Sequence, residues 1–330
     1  MNLQTKIVLP KKVRNPISYP SKILLLGSCF SENIGKKLEY FKFQTNQNPF
    51  GILFHPKAIE KCIVNAIQQK TYTAEELVFQ NDRWHCLDAH SSLSSVDKEK
   101  LLNQLNTVIA TTNTALKEAN HLIITLGTAW IYRHTETNTI VANCHKIPQK
   151  KFSKELLSVT EIRQSLTKMI AEIRLINPNL EILFTVSPVR HLKDGFIENT
   201  QSKSHLITAI HKVLHEETLS KESNKKGGIG YFPSFEIMMD ELRDYRFYEA
   251  DMIHPNTTAI EYIWERFSAT WIADNATETM QKVDQIQKGL SHRPFYAESE
   301  QHQKFEQNLS DKIVQLTHEF SFMKFEQKAP

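Results

Sequence analysis

The strongest constraint on how this chain folds is the stretch Lys22-Ile23-Leu24-Leu25-Leu26-Gly27-Ser28-Cys29-Phe30-Ser31. Four consecutive apolar residues, Ile23 to Leu26, read as a strand buried on both faces, and Gly27 lets the backbone turn sharply out of it. From Ser31 through Phe43 the apolar residues Ile34, Leu38 and Phe41 recur at helical spacing, while Glu32, Lys36, Lys37 and Glu39 take the other face. A strand that ends in a tight glycine turn and feeds a helix presents its turn residues at the end of the sheet. There they lie beside a helix N-terminus that favours negative charge. Ser28 and Cys29 occupy that turn. A purely structural role is also open to them, with Ser28 or Ser31 as helix cap and Cys29 as a small buried hydrophobe.

The same pattern recurs twice. Leu122 to Leu126 is an apolar run closed by Gly127-Thr128-Ala129-Trp130, and Glu181 to Val186 runs into Ser187-Pro188-Val189-Arg190-His191. Helical patterning is predicted for Pro56–Gln69, Asp97–Asn120, residues 160–176, Asn199–Lys221, Ser234–Asp244 and residues 257–273. Leu77-Val78-Phe79 and Trp84-His85-Cys86-Leu87 flank Asn81-Asp82 as a hairpin, and a polar insertion carries Ile140 to His145. Strands alternating with helices at this spacing imply an α/β fold, with a mostly parallel sheet covered on both faces in a three-layer α/β/α sandwich over residues 20–272. Cys29, Thr128 and Ser187 then converge beyond the carboxyl ends of three strands, where such sheets bind ligands.

Residues 1–19 read as an extended lead-in. Residues 273–330 turn Gln-, Glu- and Lys-rich, with helical patterning from Ala276 to Leu290 and from Glu298 to Phe322 but no strand and no motif. They are expected to form a helical appendage that the site does not need. Its apolar positions Ile313, Leu316, Phe320 and Phe322 pack either on the domain or on a second copy, giving a homo-oligomer.

With 40 basic against 37 acidic residues and no long basic run, the charge is too balanced to imply a nucleic acid or a membrane surface as partner. No apolar run suits an export signal or a bilayer span, so a cytoplasmic location is expected. Cys29, Cys62, Cys86 and Cys144 are far apart and lack Cys-x-x-Cys spacing, which favours free thiols over disulfides or a zinc site.

A second chemical signal is Tyr248-Glu249-Ala250-Asp251-Met252-Ile253-His254-Pro255-Asn256. An Asp three residues before a His, in a loop stopped by Pro255, lets one turn present both side chains to the same cleft. The imidazole then takes a proton at one nitrogen while the carboxylate holds the other. The alternative is that Asp251 caps a turn and His254 is a surface histidine.

Taken together, Gly27-Ser28-Cys29-Phe30, Asn48-Pro49-Phe50-Gly51, Gly127-Thr128-Ala129-Trp130, Ser187-Pro188-Val189-Arg190-His191 and Asp251-Met252-Ile253-His254-Pro255 resemble the bacterial GSCFA domain family over roughly residues 20–272. That family more distantly resembles the SGNH/GDSL hydrolases, whose fold is an α/β/α sandwich around a parallel sheet. The resemblance implies a nucleophile in the Gly27-Ser28-Cys29 turn. Gapless registration on Gly-Asp-Ser selects Cys29, whereas a one-residue shift restores Ser28. It implies Asp251 and His254 as the closing Asp-x-x-His pair and Gly51 as an oxyanion glycine. Where the superfamily has the oxyanion Asn of Gly-x-Asn-Asp, this chain has Ala129, so Thr128, Asn48 or Asn143 is left to substitute. Losing one such donor costs about a hundredfold or more in rate.

Two readings follow. The first is an esterase or O-acyltransferase acting on a small-molecule or carbohydrate-linked ester, with no metal or organic cofactor required. In it the N–H groups of Cys29 and Gly51 hold the oxyanion. The second is a binding or scaffold protein on a hydrolase-like fold. In either, Arg190, His191 and Lys193 suit an anionic ligand, although a solvated loop is the plainer role for Lys193. Trp130 and Tyr132 either stack on a sugar ring or serve the core.

Overall fold

The three apolar runs fold into neighbouring strands of one sheet. The computed structural model of the protein describes residues 5–219, 227–296 and 298–325. In chain order the first part comprises β1 (Lys22–Gly27), α1 (Cys29–Tyr40), β2 (Gln44–Gln47), α2 (Pro56–Ile67), the hairpin β3 (Leu77–Gln80) and β4 (Arg83–Cys86), and α3 (Lys98–Glu118). Next come β5 (His121–Leu126), β6 (Trp130–His134), β7 (Thr139–Val141), β8 (Phe152–Leu156), α4 (Val159–Ile176), β9 (Glu181–Val186), α5 (Phe196–Leu219) and β10 (Ile229–Phe232). The chain closes with α6 (Ser234–Glu236), α7 (Thr257–Trp271), α8 (Thr277–Ser291) and α9 (Glu300–Glu319).

The central sheet has the order β10-β9-β5-β1-β2, and every pairing in it is parallel. Side chains alternate between its faces as strand geometry requires. Leu24, Leu26, Leu122, Ile124, Ile182 and Phe184 join α2, α3, α4 and α5 in one buried cluster. Ile23, Leu25, Ile123 and Leu183 join α1, α7 and α8 in a second cluster. The fold is therefore an α/β sandwich with helices on both faces, and the central strands look like continuous apolar runs because neither face sees water.

Three features differ from the expectations. The insertion after β5 is not merely polar: β6, β7 and β8 form a small antiparallel sheet of order β7-β6-β8. The helix expected over Ser234–Asp244 is the short α6 followed by a π-helical turn, Ile237–Glu241, because Ile237 and Met238 must both reach the buried cluster. Helix α5 starts at Phe196, three residues early, and the expected end at Lys221 lies outside the described residues.

The lead-in is anchored late in the chain. The Ile17 N–H donates to Trp271 O and the Ala273 N–H to Ile17 O, each at 2.8 Å, and Lys12 N–H donates to Thr270 O. Lys12 Nζ and Asn15 Nδ2 each reach the Glu181 carboxylate at 2.8 Å, where β9 begins. Leu316 is buried, and Ile313, Phe320 and Phe322 pack against the same cluster as Val283 and Ile286 of α8. No helix among the described residues is long and apolar enough to cross a membrane.

Candidate active site

The turn between β1 and α1 is fixed by backbone contacts that only glycine permits. Gly27 has φ +134°, and a Cβ there would stand 2.1 Å from the Thr125 carbonyl oxygen of β5. Its N–H donates to Asn48 Oδ1 at 2.9 Å, and its carbonyl accepts from the Leu53 N–H at 3.0 Å. Ser28 then stands in extended conformation as the N-cap of α1, with its N–H on Thr125 O. Its hydroxyl is wholly buried and makes no hydrogen bond, capping or otherwise, among the described residues. Cys29 is the first helical residue and is partly exposed. Burial pushes its thiol up. Lys203 opposes that shift, Glu32 adds to it, and the N–H groups of Phe30 and Cys29 also favour the thiolate.

The loop before α7 holds the carboxylate and the imidazole together. His254 Nδ1 donates to Asp251 Oδ2 at 2.6 Å, while Asp251 Oδ1 accepts the N–H groups of Ile253 and His254 at 2.9 and 3.0 Å. The His254 N–H and side chain, with the Ile253 N–H, hold the Asp251 carboxyl at about 2, well below the usual range. Both side chains are about half exposed, at 50% for His254 and 46% for Asp251. Glu249 N–H closes the loop on His254 O at 2.8 Å, and Asn256 caps α7 through the Ala259 N–H. No hydrogen bond joins His254 to Cys29 or Ser28. Its charge does reach His191 on the loop after β9.

The oxyanion candidates separate. The Gly51 N–H donates to Asn48 O at 2.7 Å, closing a turn, so the structure leaves no free amide proton at Gly51. Thr128 Oγ1 meets Ser202 Oγ at 3.1 Å and accepts the Trp130 N–H, while the Thr128 N–H donates to Phe54 O. The Ala129 N–H donates to Ser202 Oγ at 2.7 Å. Asn143 Oδ1 accepts the His145 N–H in the loop after β7. Asn48, by contrast, has a buried Nδ2 with no partner among the described residues, next to the Gly27 turn.

Of the proposed binding residues, Arg190 donates to the Tyr248 hydroxyl at 2.9 Å and so ties the β9 end to the Asp251–His254 loop. His191 lies edge-on to Phe54, and its Nε2 is buried without a partner among the described residues. Burial, then the charges of Lys203 and His254, lower it to about 3. Trp130 donates its indole N–H to Glu198 O and carries Lys154 Nζ over its ring at 4.6 Å, which makes it a packing residue on that face. A surface groove of about 880 Å³ between α4 and α5, lined by Arg163, His211 and His215 among others, includes none of these residues.

One stripe of the site escaped the sequence. Asn199, Ser202 and Lys203 share the buried face of α5 with Leu206, Ala209, Ile210 and Val213. Asn199 Oδ1 accepts the His191 N–H at 2.9 Å, Ser202 holds the β5 turn, and Lys203 Nζ donates to Gly127 O and Ser187 O at 2.7 Å each. Polar residues at i, i+3 and i+4, in line with an apolar stripe, were the available signal. Among the described residues no three His, Cys, Asp or Glu side chains are grouped as a metal site.

Comparison with known proteins agrees with the motif order. No curated protein matches the chain. Among solved structures, the crystal structure of a carbohydrate esterase family 3 from Talaromyces cellulolyticus is similar with a TM-score of 0.35 and 9% identity, over 80% of this chain and 99% of that one. Residues 283–329 match a family described as GSCFA domain protein, C-terminal domain. Residues 22–267, well over half of the sequence and all of the site described above, match the family described as GSCFA family, and the chain belongs to that family.

Proposed function

We propose that the protein is an acyl-transfer enzyme, an ester hydrolase or O-acyltransferase, in which Cys29 attacks, His254 moves the proton and Asp251 orients His254. One observation carries this reading: the 2.6 Å bond from His254 Nδ1 to Asp251 fixes the tautomer and leaves Nε2 as the free base. Between the two residues of the turn, Cys29 is favoured because Ser28 is wholly buried. The Cys29 thiol passes its proton to His254 Nε2 as its sulfur adds to the ester carbonyl carbon. The resulting oxyanion is held by the Cys29 N–H and by Asn48 Nδ2, in place of the donor absent at Ala129. Collapse expels the alkoxide, which takes the proton back from His254, and leaves a thioester on Cys29. Water or an acceptor hydroxyl then attacks the thioester, again through His254, and the thiol is restored.

The proposed transfer needs a hydrogen bond from the Cys29 thiol to His254 Nε2 to form as substrate binds, and the dyad's own hydrogen bonds, within residues 249–254, keep the imidazole oriented meanwhile. Catalytic hydrogen bonds commonly tighten only with substrate bound. The test is hydrolysis of p-nitrophenyl acetate and of acetylated sugars. Turnover is expected to disappear in Cys29→Ala and to survive in Ser28→Ala. Equal rates in Cys29→Ala and the unaltered protein would remove Cys29 from the reaction. Saturable ester binding without turnover would establish the binding reading, which the occupied Gly51 N–H favours.

A further inference from the structure

We infer that Arg190 binds an anionic group of the substrate, a carboxylate or a phosphate, so that the ester handled at His254 is a charged one; the inference rests on the acyl-transfer reading for its purpose. Arg190 is partly buried on the loop after β9, beyond the carboxyl ends of the strands. Its Nη1 donates to the Tyr248 hydroxyl at 2.9 Å and its Nη2 to the Met239 sulfur at 2.8 Å, and the guanidinium carbon stands 5.9 Å from the centre of the Tyr248 ring. Met239 reaches it from the π-helical turn Ile237–Glu241. These partners are all neutral, and a thioether is a weak acceptor. They fix the guanidinium in place without balancing its charge. The Nε–H bonds no group among the described residues and is not sealed from solvent, which leaves that edge of the fork to a ligand.

The other partly buried arginines among the described residues are balanced: Arg133 by Glu155, Arg163 by Glu216, Arg174 by Glu217 and Arg266 by Glu241. Arg190 has no such carboxylate, and the acids on the surrounding elements are engaged elsewhere. Asp194 pairs with Lys154 at 2.6 Å, Asp240 with Arg243 at 3.3 Å and Asp251 with His254 at 2.6 Å. Glu249, beside Tyr248, is exposed and makes no bond to Arg190. Lys203, buried and bonded to Ser187 O, brings a second positive charge to the same strand end. An incoming oxyanion supplies the charge that is missing. It would also sit beside the chemistry. Tyr248 bridges to Pro255, and the Glu249 N–H donates to His254 O at 2.8 Å, so the loop that Arg190 holds is the loop that carries the base.

The experiment compares kcat/KM for neutral and charged esters in the full chain, in Arg190→Gln and in Arg190→Lys. Acetylated glucose is set against acetylated glucuronate and an acetylated glucose phosphate, and p-nitrophenyl acetate against mono-p-nitrophenyl succinate. The pair that separates assigns the anion to a carboxylate or a phosphate, and to the alcohol or the acyl part. The unaltered protein should prefer a charged ester by about tenfold or more, as a hydrogen bond between charged groups allows. The charged-to-neutral ratio should fall by about tenfold or more in Arg190→Gln. Arg190→Lys, which keeps the charge but not the fork, should recover part of it. An arginine that only supports the loop would lower both rates alike in Arg190→Gln, and an unchanged ratio there overturns the inference. So does the absence of any preference in the unaltered protein, whether or not the variant folds. If no ester is turned over, calorimetric titration with glucuronate and glucose phosphate decides. Binding that Arg190→Gln abolishes retains the anion site and rejects the acyl-transfer reading, whereas no binding, or binding indifferent to the substitution, overturns the site.

Discussion

Replacing Gly27 by alanine strikes the point where the turn and the sheet constrain each other most. The new Cβ would lie 2.1 Å from the oxygen, 2.8 Å from the carbon and 2.9 Å from the nitrogen of Thr125, all backbone atoms of the adjacent central strand. No side-chain rotation relieves such a contact, so β1 and β5 must separate. Overpacking of this kind costs about 1–3 kcal/mol. Holding a residue with a side chain at φ +134° costs roughly another 1–3 kcal/mol. The sum, about 2–6 kcal/mol, is a large part of the roughly 5–15 kcal/mol that stabilises a typical protein. Urea denaturation followed by tryptophan fluorescence measures it as a lowered midpoint at an unchanged slope. Gly195→Ala is the control: its φ is +107°, but its new Cβ meets Glu198 Oε2, the end of a flexible side chain. If Gly27→Ala lost no more stability than Gly195→Ala, the close approach of β1 to β5 would not be what makes glycine necessary.

Other perturbations separate the site from the scaffold. Asp251→Asn should lower ester turnover by about a thousandfold or more, through loss of the tautomer it enforces, while the melting temperature hardly moves because the side chain is half exposed. Burial lowers His55 and His145 to about 4, so the unfolded chain binds more protons than the native one between about pH 6.5 and 4. Stability should therefore fall as the pH drops through that window, by up to about 2.7 kcal/mol per pH unit for two protons. His55→Asn, which preserves an N-cap acceptor for the Ala58 N–H, should flatten the slope measured by urea melts at successive pH values. A chain ended after residue 273 uncovers the surface on which Val283 and Ile286 pack, and it should still unfold cooperatively but at a lower urea midpoint. Complete loss of the cooperative transition would make α8 and α9 part of the core.

The fold was legible wherever a strand is buried on both faces. Ile23–Leu26, Leu122–Leu126 and Glu181–Val186 needed no partner to be recognised, because an unbroken apolar run of that length leaves few alternatives. Strands β6 to β8 were hidden: polar residues stand on both faces, Tyr132, Thr139 and Lys154 on one and Arg133 on the other, and the register is set by cross-strand pairing rather than by sequence pattern. In the site, the turn at Gly27 and the spacing of Asp251 to His254 were visible because the chemistry is local. Whether the Gly51 N–H is free was not visible, since that depends on how the chain folds back on Asn48. Lys203 was the hardest to see. In sequence it is one more lysine on a long helix, and only the meeting of α5 with two strand ends makes it a buried charge.

The pairing of Ile17 with Ile272 sets an order of events during synthesis. The lead-in leaves the ribosome first, yet the backbone groups it bonds belong to Thr270, Trp271 and Ala273. At about 5–20 residues per second, the acceptors for Ile17 are made roughly 13–50 s after it. Through that interval Tyr19 can already stack on Phe43, whereas the Ile17 backbone, buried in the finished protein, waits without its partners. Closure of this seam is thus a late step, and slow production of the segment around residue 272 lengthens the period in which the Ile17 backbone is unpaired.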